Sequence, residues 1–156
     1  AVGTSAVRFN IIKVSPDKGF TFRGEEALSF DSDSAPFIMY SHTRSRSIAK
    51  KCLDLGAQSL ENEELDFSNI PNSMYELLRT IACHEDALSR AVEQARPNLF
   101  ANQLLNLANS YNGFYRDCKV IQNGIVNQSY FAVSEVTSKL LESGMIGLGI
   151  SPLEQM

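Results

Sequence analysis

Residues 97–118 set the tightest limit on what this chain can become. Phe100, Leu104, Leu107, Ala108, Tyr111, Phe114, Tyr115 and Cys118 recur at the i, i+4, i+7, i+8 spacing of one helical face, over about five turns. A stripe that long and apolar must be covered by other helices. Pro97 suits a first helical turn, and the residue before a proline resists helix, so the chain should turn at Arg96. The other long segments must therefore be read as partners for this one.

The stretch from Ala35 to Lys51 is the most distinctive of them. Ser34 can cap its start, Pro36 fits only a first turn, and Gly56 is a natural stop after Asp54. Phe37, Ser41, Ser45, Ile48, Cys52 and Leu55 fall on one stripe. Tyr40, His42, Arg44, Arg46, Lys50 and Lys51 lie off it, and no acidic residue occurs between Asp33 and Asp54. An aromatic ring and cations on the wet side of a packed helix suit either a solvated face or a platform for nucleic-acid bases and phosphates.

The remaining segments give more helices. Val2–Val14 places Val7, Ile11 and Val14 on one face, and Ser15–Gly19 breaks it. Phe20 and Phe22 alternate with polar residues as a short extended piece, and residues 24–31 form a brief helix. The acidic stretch 57–71 reads as mostly loop. Ser73 and Glu76 have capping-box spacing for a helix to about Cys83, and a kink there separates it from a helix carrying Leu88, Val92 and Ala95. Asn123-Gly124 is a turn, and Ile125–Met145 is the last long helix, with glycines 144, 147 and 149 loosening its end. The expected fold class is all-α, an antiparallel helical bundle with a minor extended element near residues 20–22.

Composition narrows function mainly by exclusion. Net charge is −4, so a generic, globally basic nucleic-acid binder is excluded and any such contact must come from a local patch. Cys52, Cys83 and Cys118 fit neither a disulfide framework nor a zinc pattern and read as reduced, buried, small hydrophobes of a cytosolic protein. His42 and His84 lack metal-ligand spacing, the C-terminal glycines end a helix rather than start one, and no serine sits in a nucleophile elbow. No segment is long and apolar enough for a membrane helix and no signal peptide is visible. The chain starts without Met and is expected to be a module of a longer protein.

Pro36-Phe-Ile-Met-Tyr-Ser-His-Thr-Arg44 resembles the Pro-aromatic-aliphatic-Gln-Tyr-small-His-small-Arg signature of arginyl-tRNA synthetases. The likeness covers nearly the whole chain. It includes Val2–Phe9, Val14–Lys18, Phe20–Phe22, Glu26–Ser29, the Leu105–Tyr115 pattern, Gly144–Ile150 and the closing Pro152-x-Glu-x-Met156. Met39 departs from the usual Gln and Gln155 from the common Arg. The resemblance implies a connector over residues 1–33, following an absent catalytic core, and a class I helical anticodon-binding domain over 34–156. It implies a parent enzyme that ligates arginine to its tRNA using ATP with magnesium. The two class I catalytic signatures do not occur in these residues, so the fragment itself should bind without catalysing and hold no cofactor or metal. The anticodon loop of arginine tRNA would meet Tyr40, Ser41, Arg44 and Arg46 on one helix, Tyr115 on a facing helix, and Met156. The other partner would be the catalytic domain of the same chain, in a cytoplasmic monomer with no membrane contact. The alternative is a structural helical protein-interaction domain using the same apolar stripes.

Overall fold

The computed structural model describes residues 2–30, 33–58 and 65–153. The elements are α1 (Val2–Ile12), α2 (Gly24–Ala27), α3 (Ala35–Asp54), α4 (Asn72–Ala82), α5 (His84–Glu93), α6 (Pro97–Asp117), β1 (Ile121–Gln122), β2 (Ile125–Val126) and α7 (Gln128–Gly147). The all-α class holds. Helix α6 lies at the centre, packed against α1, α3, α4, α5 and α7, and α3 runs along α7. Its stripe behaves as its period requires: Phe100, Leu104, Leu107, Ala108, Tyr111 and Phe114 are all buried.

Several boundaries differ from the sequence reading, each for a local reason. Residues 20–22 carry neither helix nor strand. The described sheet is instead a hairpin pairing Ile121 with Val126 and Gln122 with Ile125. Asn123 (φ 52) and Gly124 (φ 77) both take the left-handed conformation that a two-residue hairpin turn needs. The last helix therefore begins not at Ile125 but after Asn127, whose Oδ1 accepts from the Tyr130 amide at 3.0 Å. Helix α2 is one turn, shorter than expected. Ser73 does not cap α4; Pro71 precedes that helix, and the Ser73 hydroxyl lies 3.8 Å from the Cys118 sulfur.

Periodicity found the faces better than it found which face is covered. On α1, Val7 and Ile11 point outward, and Phe9 and Ala6 enter the core. On α5, Leu88 and Val92 are exposed while Ala87 and Ala91 are buried, because small side chains let this short helix lie close to α6. Leu55 is exposed too, and so is Cys83 at the break between α4 and α5, against the expectation that all three cysteines are buried. The ends of α3 and α7 close in the same way. Gly56 (φ 83) and Gly149 (φ 68) sit just past the caps, and the next residues, Ala57 and Ile150, donate back to Cys52 and Met145 at 3.0 and 2.8 Å. Gly149 thus ends α7 sharply rather than loosening it.

Two features fix how the central helices approach. Gly144 of α7 faces Leu104 of α6, where a Cβ would fall inside the envelope of the leucine methyls and 3.1 Å from Cγ. Along α3 and α7 several buried side chains are small and hydroxylic: Ser41, Thr43, Ser45, Ser134, Thr137 and Ser138. Four of these hydroxyls return to their own helix. Ser41 donates to the Phe37 carbonyl, Thr43 to Met39, Ser45 to His42 and Thr137 to Val133, at 2.7–2.9 Å. A hydroxyl satisfied this way is buried at little cost and leaves the neighbouring helix room to come close.

His42 corrects another expectation. It does not share the wet face with Arg44 but is 0% exposed, and neither ring nitrogen has a hydrogen-bond partner among the described residues. Burial lowers its pKa; Glu142 pulls the other way and Arg46 adds to the lowering. His84, packed edge-on at 5.1 Å from Phe100, is lowered by burial as well.

Gly144→Val should lower the unfolding free energy by about 1–3 kcal/mol in urea titrations. Gly147→Val, where a Cβ meets open space, should cost little. For the histidines, the unfolded imidazole takes up a proton near pH 6.5 while the folded one resists. Stability is then complete above about pH 6.5 and declines as pH falls below it. A His42→Leu/His84→Leu double variant should show a smaller loss of urea midpoint between pH 7.5 and 5.5 than wild type.

Candidate nucleic-acid interface

The first half of α3 is buried nearly all round, from Ala35 to Met39 and again over Ser41–Thr43. The Ser34 hydroxyl starts it, accepting from the Phe37 amide at 3.2 Å. Two side chains break out of that packing one turn apart. Tyr40 is 40% exposed, and Arg44 is half-buried. The facing turn of α6 supplies Tyr111, Asn112 and Tyr115. Tyr111 goes fully inward, where its hydroxyl meets Ser134 Oγ at 2.9 Å. Burial pushes its phenol up to about 12, so it remains protonated at any ordinary pH. Tyr115 lies next to it with ring centroids 6.4 Å apart and stays half-buried at the edge.

Arg44 joins the two helices. Its guanidinium carbon lies 4.5 Å from the centroid of Tyr40 and 4.5 Å from that of Tyr115. One amine donates to the Tyr40 hydroxyl at 2.7 Å, the other to Asn112 Oδ1 at 2.8 Å. Asn112 Nδ2 donates in turn to Ser41 Oγ at 2.9 Å. Two cation–π contacts at about 0.5–1 kcal/mol each and two hydrogen bonds at about 1 kcal/mol each outweigh the ~2 kcal/mol of rotamer freedom an arginine can lose. The cation is held in place before any ligand arrives.

The structure therefore brings together Tyr40, Ser41, Arg44 and Tyr115 from separate parts of the chain. It does not bring in Arg46, which points toward α7 and lies 3.6 Å from Glu142 in a groove with Lys50, Glu135 and Lys139. Both partners of that pair are about half exposed, a setting where an ion pair is worth about 0–1 kcal/mol. Met156 lies outside the described residues. Asn112 is the contributor that the sequence reading did not single out. Its signal was a short amide three residues before Tyr115, on the border of the α6 stripe.

Chemically, this edge is equipped for stacking and hydrogen bonding. It offers two phenol rings, a fixed guanidinium and an amide, with the phenol of Tyr40 and three guanidinium N–H groups still able to meet a ligand. Among the described residues, no group of three or more His, Cys, Asp or Glu could hold a metal ion. None of their helices is long and apolar enough to cross a membrane.

Known proteins share the fold and much of the sequence. The chain is 38% identical over its whole length to an arginine–tRNA ligase of Thermococcus kodakarensis, and 36% identical to that of Archaeoglobus fulgidus. It spans only 25% and 28% of those two proteins. The solved arginyl-tRNA synthetase of Thermus thermophilus superposes with a TM-score of 0.83 at 29% identity, covering 99% of this chain and 26% of that one. A family model described as the DALR anticodon binding domain matches residues 38–156, which take in all of α3 beyond its first turn and the whole of α4–α7. By that match, on the fold and edge described above, this chain belongs to the DALR anticodon binding domain family.

Proposed function

We propose that this domain recognises the anticodon loop of arginine tRNA on the edge formed by Tyr40, Ser41, Arg44 and Tyr115. The observation that carries the reading is the Arg44 guanidinium held 4.5 Å from two half-exposed phenol rings. Splayed loop bases stack on aromatic rings and guanidinium planes, and the cation meets the backbone or a base edge. Met156 belongs to the same proposal through its family resemblance alone. Arg46 is a peripheral contributor at most, given its turn toward Glu142.

The whole protein, on this reading, is a ligase that joins arginine to its tRNA with ATP and magnesium, as a cytoplasmic monomer. The names of the relatives and the roughly one-quarter share of their length support the ligase part of this reading; magnesium, the cytoplasm and the monomer rest on the family resemblance alone. Residues 1–33 would serve as the connector to a catalytic domain in the same chain. Supporting that role, Val7, Ile11, Phe20, Phe22, Leu28 and Phe30 all leave large apolar side chains exposed within the first thirty residues. A purely structural protein-interaction domain is the weaker alternative, since the reported relatives carry ligase names.

Filter binding of arginine tRNA to the full-length protein tests the site. Tyr40→Ala should weaken binding about 5–150-fold, the range expected for losing about 1–3 kcal/mol of base stacking. Arg44→Ala should also flatten the salt dependence by about one phosphate contact. Unchanged affinity and slope in both variants, or equal affinity for a non-cognate tRNA, would move the assignment to the interaction-domain alternative.

A further inference from the structure

Arg44 differs from most other arginines of this protein in what holds it. Arg23, Arg46, Arg79, Arg90, Arg96 and Arg116 each lie against a carboxylate: Glu26, Glu142, Glu76, Asp86, Asp17 and Asp117. Among the described residues no carboxylate pairs with Arg44. Its acceptors are neutral: the Asn112 amide oxygen and the Tyr40 hydroxyl. In a chain of net charge −4 this is the arrangement that keeps a local cation available to an anion.

The bonding fixes which way Asn112 must face. A guanidinium only donates, so it requires the amide oxygen. The Ser41 proton is committed to the Phe37 carbonyl, so the Ser41 oxygen is left to accept from the amide nitrogen. A carboxylate at this position would also hold Arg44, and more strongly, but would cancel its charge. An apolar residue would leave the charge and lose the aim.

We propose that Asn112 is a positioning residue of the anticodon edge: it aims the Arg44 guanidinium at incoming RNA while leaving its charge unneutralised. This rests on the anticodon-binding reading above. Two of the five guanidinium N–H groups are then spent on positioning and three remain for a phosphate or a base acceptor.

The test uses the full-length protein, arginine tRNA and a series of salt concentrations, with thermal midpoints measured alongside. Asn112→Asp, which exchanges the amide's bond to Ser41 for a charged bond to Arg44, should hold a midpoint near wild type yet bind about tenfold more weakly, the order expected for losing one charge-assisted bond. Its slope of log affinity against log salt should fall by about 0.7–0.9, one phosphate contact. Asn112→Ala should weaken binding several-fold in the wild-type background and add nothing in an Arg44→Ala background. The positioning role is overturned if Asn112→Asp binds with wild-type affinity and slope while Arg44→Ala is weakened. It is equally overturned if Asn112→Ala costs the same with and without Arg44, because the amide would then act independently. Wild-type binding by Arg44→Ala and Tyr40→Ala would instead remove the anticodon edge itself, and this proposal with it. Should Asn112→Ala lower the midpoint markedly, Asn112→Asp decides.

Discussion

The burial of one helix organises everything else in this domain. Helix α6 puts Leu104, Leu107, Ala108, Tyr111 and Phe114 out of water and is packed by α1, α3, α4, α5 and α7. Burying each leucine or phenylalanine is worth about 1.5–3 kcal/mol, so no arrangement that exposes the stripe competes. The same helix carries one side of the proposed anticodon edge. Tyr111, Asn112 and Tyr115 lie within little more than one turn, and they go respectively inward, across to α3 and to the surface. The last turns of the core helix thus hold the edge on rigid backbone, which keeps Tyr115 and Arg44 in register.

Small side chains help α7 pack against α6 and α3. Gly144 removes a Cβ where Leu104 of α6 needs space, and four of the buried serines and threonines of α3 and α7 bond to their own backbones. The consequence for function is indirect but physical. With the first half of α3 enclosed, nearly all of its polarity must be satisfied internally, and what reaches the surface is narrowed to Tyr40 and Arg44. His42 shows the cost of that enclosure: an imidazole whose pKa burial lowers, with no protein partner for either nitrogen among the described residues.

Charge is handled locally rather than globally. A net charge of −4 opposes RNA binding at long range, and screening at physiological salt confines such effects to about 8 Å. What matters at contact is whether a nearby cation is already neutralised. Arg46, two residues from Arg44, faces Glu142, whereas Arg44 faces an amide and two rings. Two arginines that look equivalent in sequence are electrostatically different once folded. That difference comes from which neighbouring helix each one meets.

The length and phase of α6, the Ser34 cap of α3, the break at Cys83 and the class of the fold were all legible in the residues, because a helix's period and ends are local properties. Tyr40 and Arg44 could also be picked out, one turn apart on one helix with no acid nearby. The direction each face turns was not legible. Val7, Ile11, Leu88 and Val92 are periodic yet exposed, and His42 is polar yet buried, because burial is decided by what packs alongside. The Ile125–Val126 strand was lost for a related reason: β-branched residues before a helix pair with Ile121–Gln122 only once the turn brings the two together. The sequence by itself determined the helices, the central stripe and the candidate Tyr–Arg pair. Tyr115 could be set beside that pair by family resemblance but not by pattern. Only tertiary structure decided that Asn112 would hold the pair and that Arg46 would turn away, since the contacts of α3 with α6 and α7 exist only after those helices have packed.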